Sequence, residues 1–247
     1  MTFALVSRAE RPDLRQAMND LPTSWPRFML EDPAAWMMSM LNDHPAFQLA
    51  LLDGDRVVAK ANSVPFRWDG DEASLPDTGW DTVLATGIVG GARGRTPTAL
   101  SALEIAIDPE WQGKGLSRVM VDGLRAAAAR AGFADLVAPV RPSRKAEHPD
   151  VPMAEYVTWR RDDGLPADPW LRVHVRAGGT VVKVCPASMV IPGSLAQWRS
   201  WTGLPFDGDG DVAVPGGLTP VHVSLAHDHA VYVDPNVWVR HRVGSAA

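Results

Sequence analysis

Cysteine is almost absent from this chain of 247 residues: Cys185 is the only one. No disulfide can form within the chain, so its stability must come from packing, and the composition fits a reducing compartment. Tyrosine is nearly as scarce, with 2 residues, and lysine numbers 4 against 20 arginines. A formal net charge of −5 offers no basic excess of the kind that nucleic-acid binding demands. No run approaches the roughly 18 apolar residues of a membrane span, and the opening Met1–Gln16 has no basic stretch leading into an apolar one. These absences argue against nucleic acid and membrane as partners and lead us to expect a cytoplasmic protein. They leave a homodimer open. The remainder is ordinary for a globular protein, 46% hydrophobic and 21% charged, and long enough for a solid core. No repeat, linker or low-complexity tract divides it, so one domain spanning 1–247 is expected.

The most informative stretch is Leu100–Gly132. It opens with the apolar run Leu-Ser-Ala-Leu-Glu-Ile-Ala-Ile, bounded by Asp108-Pro109, which predicts a buried strand. A tight turn follows, Gln112-Gly113-Lys114-Gly115. Apolar residues then recur at 116, 119, 120, 124, 127 and 131, with Arg118, Asp122, Arg125 and Arg130 between them, which is helical spacing. Gly132 stands where a helix-ending glycine belongs. Strand, glycine turn and helix together make an anion cradle: unpaired N–H groups and the helix dipole point at whatever occupies the turn, and glycine lets it come close. Lys114 adds a positive charge. The pattern is neither a Walker loop nor a complete Gly-x-Gly-x-x-Gly fingerprint.

The residues Ile107–Ser117 resemble motif A of the GNAT superfamily, the GCN5-related N-acetyltransferases. That family's pattern is Gln/Arg-x-x-Gly-x-Gly/Ala; Gln112 and Gly115 match it, and Ser117 replaces the last small residue. The resemblance implies an α/β fold with a mixed, splayed central sheet flanked by helices. It implies acetyl-CoA as co-substrate, its pyrophosphate on Gln112, Gly113, Lys114, Gly115, Leu116 and Ser117. Its pantetheine arm would run along Ile105, Ala106 and Ile107. The implied reaction is acetyl transfer to an amine of a small molecule by direct attack. A non-catalytic acyl-CoA-binding or regulatory domain, and a protein or peptide N-acetyltransferase, are the alternatives.

Taken in order, Phe3–Ser7 reads as an edge strand, and Arg11–Asp20 and Pro33–Leu41 as helices. By the resemblance these helices wall the acceptor cleft, and Trp25, Trp36 and the methionines either line it or pack the core. Phe47–Leu52 and Arg56–Phe66 read as a hairpin through Asp53-Gly54-Asp55. The glycines of Gly87–Arg95 predict a flexible hairpin loop or a mobile lid with Arg93 and Arg95 near phosphate. Asp135–Val140 predicts a second strand parallel to the first, followed by Arg141, Arg144 and Lys145, which either meet an anion or form a solvated loop. Met153–Arg161 reads as a short helix, Pro169–Ala177 as a helix and Thr180–Cys185 as a strand. This order resembles motif B of the family, with His174 at the usual tyrosine. The family-like pattern covers roughly 1–185, with the last strand expected within 230–239 and the remainder read as insertions and a C-terminal extension. Ser194–Trp201 predicts a short helix, and Val221–Leu225 with Ala230–Val239 a hairpin. The Asp-Gly alternation at Phe206–Asp211 and the histidines His222, His227 and His229 lack recognised ligand spacing, so no metal is expected.

Amide formation from a thioester needs a deprotonated amine, donors for the oxyanion and a leaving thiolate. Glu104, the lone charge in an apolar strand, is the candidate base. Strict alternation places it on one face with Ala102 and Ala106, and Leu103, Ile105 and Ile107 on the other. His174 is the candidate acid, since an imidazole titrates near neutrality, and Tyr156 is the fallback. The resemblance gives the oxyanion donor to backbone N–H groups around Ile107.

Overall fold

The structure is a computed structural model, and it describes residues 3–244. One edge of its sheet is β1 (Phe3–Ser7), antiparallel to β2 (Leu49–Asp53), which turns through Gly54 and Asp55 into β3 (Arg56–Phe66). The alternation of Leu49 and Leu51 against Ala50 and Leu52 sends successive side chains into two different apolar clusters, as the pleat requires. β4 (Ala99–Ile107) pairs antiparallel with β3 along its whole length. Its other neighbour, β5 (Asp135–Val140), runs parallel to it but pairs only at Leu100 with Leu136 and Ser101 with Val137. Beyond Ser101 the two strands splay.

Helices cover both faces. α3 (Leu116–Arg130) buries Leu116, Met120 and Leu124 against Leu49, Leu51, Leu100 and Leu136. Val121 is buried with them, whereas Val119 and Ala131 of the predicted stripe face solvent. Gly132 has φ +77°, the left-handed ending its position predicts. On the opposite face lies α2 (Gly79–Ala92), packing Val83 and Leu84 against Val64, Ala99 and Leu103. Here the expected loop is corrected. Gly87 reads as a breaker in sequence, but a Cβ on it would meet Val64 Cγ2 at 2.5 Å, and one on Gly79 would meet Ser188 Oγ at 2.3 Å. These glycines let a helix lie close on the sheet; they do not loosen the chain. The short α1 (Arg15–Asn19) follows a 3-10 turn at Pro12–Leu14, and the second expected helix is a 3-10 segment over Ala35–Asp43.

The C-terminal part completes the same sheet. α4 (Met153–Tyr156) is a single turn, and α5 (Pro169–Arg176) leads through Gly178-Gly179 into β6 (Thr180–Gly193), which runs eight residues past the expected Cys185. α6 (Leu195–Thr202) starts with a reciprocal Ser194–Gln197 cap and buries Trp198. β7 (Gly210–Val212), β8 (Val221–Ser224) and β9 (His229–Arg242) follow. The sheet order is β1-β2-β3-β4-β5-β9-β8-β7, with β6 on the far edge of β9. β5 pairs with Val237–Arg242 of β9 and β8 with His229–Val231. Between them, the edge of β9 from Tyr232 to Asn236 is left open toward the splay. Among the described residues no helix is long and apolar enough to cross a membrane.

Candidate active site

The glycine turn is fixed from behind. Asp108 caps the 3-10 turn Pro109–Trp111 by accepting the Glu110 N–H at 3.0 Å, and Arg56 holds Asp108 at 2.7 Å. Trp111 is buried beneath. Gly113 and Gly115 have φ +76° and +77°, where a side chain would strain the backbone. Gly115 precedes α3 with no side-chain cap, and a Cβ at either glycine would meet nothing within 4 Å. The first turn of α3 therefore opens onto free space with its N–H groups forward. Gln112, Lys114 and the two glycines are exposed, Ser117 is half-buried, and Leu116 anchors the helix in the core. Lys114 does not point along the helix axis but rests over Trp111, 4.1 Å from the ring centroid.

Where β4 and β5 part, a cavity of about 330 Å³ opens between them. Trp25, Met29 and Met38 wall one side and Trp170 of α5 another, with Glu104, Arg141 and Asn236 as polar members. Trp36 is 64% exposed and lies outside this wall. A bulge in β4 shapes the floor: Asn62 opposes Glu104 and Ser63 opposes Ala102, leaving Leu103 over. The indole of Trp80 donates to the Leu103 carbonyl at 2.9 Å. The bulge overturns the expected face assignment. Ala102 packs in the α3 cluster, whereas Leu103 turns to the α2 side, and Ile105 and Ile107 pack with α3. Glu104 therefore shares its face with Leu103 and Ala106, not with Ala102.

The Glu104 carboxylate has three neighbours. Asn62 Nδ2 donates to it at 2.7 Å, Trp25 Nε1 at 3.3 Å, and Lys60 Nζ stands 3.4 Å away. These hold the carboxylate in one place at the cavity rim. Ile105, Ala106 and Ile107 continue β4 on the splayed side, paired with β3 but not with β5.

His174 lies in the cavity wall, 2% exposed. Its Nδ1 is 3.0 Å from Nε2 of His241, and its Nε2 is buried with no protein partner. Burial, reinforced by the neighbouring imidazole, pushes its pKa down to about 3. Near pH 7 it is a neutral hydrogen-bonding group and carries no proton to give as imidazolium, which counts against the acid role expected from its position. The Tyr156 hydroxyl is turned away from the cavity, donating to Asp168 at 3.0 Å, with its pKa raised by burial and that carboxylate.

Of the three cations after β5, only Arg141 lines the cavity. Arg144 pairs with Glu147 at 2.7 Å. Lys145 is fully buried and donates to the carbonyls of His148 and Leu218, so the expected solvated loop is in fact a packed corner. Arg93 and Arg95 are exposed. Asp209 accepts the Leu225 N–H and Asp211 pairs with His222, both as turn contacts. Among the described residues no three His, Cys, Asp or Glu side chains come together as a metal site would require. Cys185 is buried, and burial raises its thiol pKa to about 12.

Two features escaped the sequence. Asp234 is fully buried and accepts from Arg141, Tyr232 and Asn236. Its one signal is the interruption Asp234-Pro235-Asn236 in a β-branched run. Behind the Trp25–Met29 wall, Asp32 and Asp81 face each other. Asp32 accepts the Ala34 N–H at 2.7 Å and Asp81 the Val190 N–H at 3.3 Å, while the second oxygen of each is buried without a protein partner. Burial raises both pKa values, and the Asp32 charge adds to the rise at Asp81.

No protein-family profile matches the chain. A curated relative does: arginine N-acetyltransferase avaD of Aspergillus versicolor is 36% identical over 98% of this chain and 94% of its own. Among solved structures, the loading GNATL domain of CurA from Lyngbya majuscula superposes with TM-score 0.63 at 17% identity, covering 98% of each chain. The GphF GNAT-like decarboxylase in complex with isobutyryl-CoA superposes with TM-score 0.58 at 14% identity, covering 99% of this chain and 100% of its own. Both structures share the fold. The full-length relative joins the splayed sheet and its glycine turn to a sequence lineage, and the chain belongs to the GNAT superfamily of N-acetyltransferases.

Proposed function

We propose that the protein transfers the acetyl group of acetyl-CoA to the primary amine of a small molecule. The carrying observation is one continuous path: the open glycine turn, the unpaired side of β4, then a cavity with one fixed carboxylate. The turn at 112–117 suits a pyrophosphate by its N–H groups and dipole, and Ile105–Ile107 offer free backbone groups to an amide-bearing arm. A cavity of about 330 Å³ lined by Trp25, Met29 and Met38 is of the size that holds a small molecule, which favours a small acceptor. The curated relative acts, by its name, on arginine, and an amino acid of that size is the acceptor we favour.

In this reading Glu104 accepts a proton from the incoming ammonium, directly or through a water, freeing the nitrogen lone pair. The nitrogen bonds to the thioester carbon, the carbon–sulfur bond breaks, and sulfur leaves as thiolate. His174, uncharged and joined to His241, supports the cavity wall beside Trp170 and transfers no proton. The returning proton comes from the amine itself or from solvent.

The test is released thiol against a panel of amines, with wild type and Glu104→Gln. We expect Glu104→Gln to lose on the order of a hundredfold near neutrality and to recover part of it in alkaline buffer, where free amine is abundant. Equal loss at every pH would remove the proton-accepting role. CoA binding without thiol release by any amine would instead favour a non-catalytic domain.

A further inference from the structure

Arg141 is held as few surface arginines are. Its Nε donates to both oxygens of Asp234 at 3.1 and 3.2 Å, and Nη2 donates to the Gly216 carbonyl at 2.7 Å. Asp234 is itself fixed by Tyr232 and by Asn236 Nδ2, at 2.7 Å from the latter. Two edges of the guanidinium are thus committed. Among the described residues the third, Nη1, has no protein hydrogen-bond partner, and the side chain, 15% exposed, lines the cavity. The N–H groups of Nη1 are charge-assisted donors of the kind a carboxylate oxygen accepts from.

Trp25 ties this cation to the candidate base. Its indole N–H points at Glu104, and Arg141 lies over its ring, 5.7 Å from the centroid. Around these two charges the wall is apolar: Met29, Met38, Trp170 and Met189. The residues that hold Arg141 all belong to 216–236, and none to the glycine turn at 112–117. Arg141 lines the same cavity as Glu104, so its unpartnered nitrogen is offered to an acceptor bound there.

We propose that Arg141 is the carboxylate subsite of the acceptor, so that the substrate class is a free α-amino acid, bound by its ammonium at Glu104 and its carboxylate at Arg141. This rests on the acceptor reading given above. An amine with one positive head and nothing negative leaves the Arg141 edge unpaired on closure, and an amide in place of the carboxylate offers it a weaker acceptor. The role is specificity and positioning; Arg141 takes no part in bond making.

Two measurements test it. Turnover is compared for L-arginine, L-argininamide and agmatine, which share the guanidinium tail and differ only at the carboxylate. We expect wild type to prefer arginine over argininamide by on the order of 10- to 100-fold in kcat/KM, carried by KM. Arg141→Gln should erase that preference while leaving the KM for acetyl-CoA unchanged, and Arg141→Lys should restore part of it. Calorimetric binding of the same three ligands supplies a readout without turnover. Because Arg141→Gln strands a buried Asp234, the double variant Arg141→Gln/Asp234→Asn guards against misfolding, and its melting curve is checked beside wild type. Equal kcat/KM for arginine and argininamide in wild type overturns the subsite and leaves acetyl transfer standing. Carboxylate-dependent binding that Arg141→Gln abolishes, with no thiol released, keeps the subsite and defeats acetyl transfer. No carboxylate preference in either measurement overturns the subsite outright.

Discussion

His174 has an unshared nitrogen in the cavity wall and no charge at neutral pH. Its pKa of about 3 lies far below the working range, so it does not titrate between pH 5 and 9. His174→Asn should therefore lower kcat by about tenfold, the worth of one hydrogen bond, without moving the pH–rate profile. A displaced profile in that variant would put an imidazolium back into the reaction. The contrast with Glu104 shows what a single sequence discloses at this scale. A lone carboxylate inside an apolar strand stands out because burying it is costly. The charge state of a histidine does not, because it is set by tertiary burial, reinforced by His241, 67 residues away in the chain. Arg141 stands out in sequence only as one of three cations after a strand; what separates it from Arg144 and Lys145 is an aspartate 93 residues later. The face of Glu104 departs from strict alternation for a third reason: a bulge adds one residue to one strand, and nothing in the run Leu-Ser-Ala-Leu-Glu marks it.

At the scale of elements, strand, turn and helix around the glycines were legible because periodicity and punctuation agree there. α2 was not, because its glycines mimic a loop. The structure separates them by what lies in front of each. Gly87 faces Val64 Cγ2 at 2.5 Å and the Pro65 carbonyl at 3.1 Å, so Gly87→Ala should destabilise by about 1–3 kcal/mol through overpacking. Gly90, in the same helix, has nothing within 4 Å, and Gly90→Ala should stabilise by about 0.5–1 kcal/mol through helix propensity. Urea melts of the two variants read this directly; a matching sign for both would mean that α2 is not seated on β3 as described. Within 186–229, α6 and the β8–β9 hairpin lie where Ser194–Trp201 and Val221–Leu225 with Ala230–Val239 predict them, whereas β7 is three residues long and too short to carry a period of its own.

Across the whole molecule, two buried pairs tilt stability with pH in opposite senses. Asp32 and Asp81 have pKa values raised above the ordinary 3.8, chiefly by burial and at Asp81 also by the Asp32 charge, so the folded state binds their proton more tightly than the unfolded one. Their stabilisation is complete below that value and is lost as pH climbs through the raised ones. His174 and His241 have pKa values lowered from 6.5 to about 3 and about 4, chiefly by burial. Their contribution is complete above 6.5 and is lost as pH falls toward those values. The two slopes oppose each other between about 4 and 6.5, and above 6.5 only the acid pair remains. Melting temperature should accordingly decline from pH 7 to 9, and Asp81→Asn should flatten that decline while leaving pH 5 little changed. A decline just as steep in Asp81→Asn would place its origin elsewhere.

The threading of β9 has a consequence for how the protein comes into being. A ribosome delivers the glycine turn, Glu104 and Arg141 long before it delivers Tyr232, Asp234 and Asn236. Until then a nascent chain has β5 with a bare edge and β6 with no neighbour at all, and its arginine swings without the aspartate that aims it. The glycine turn at 112–117 and the Trp25–Met38 wall are thus complete in a chain that still lacks the carboxylate holding Arg141, so the geometry around that arginine is the last part of the cavity to form.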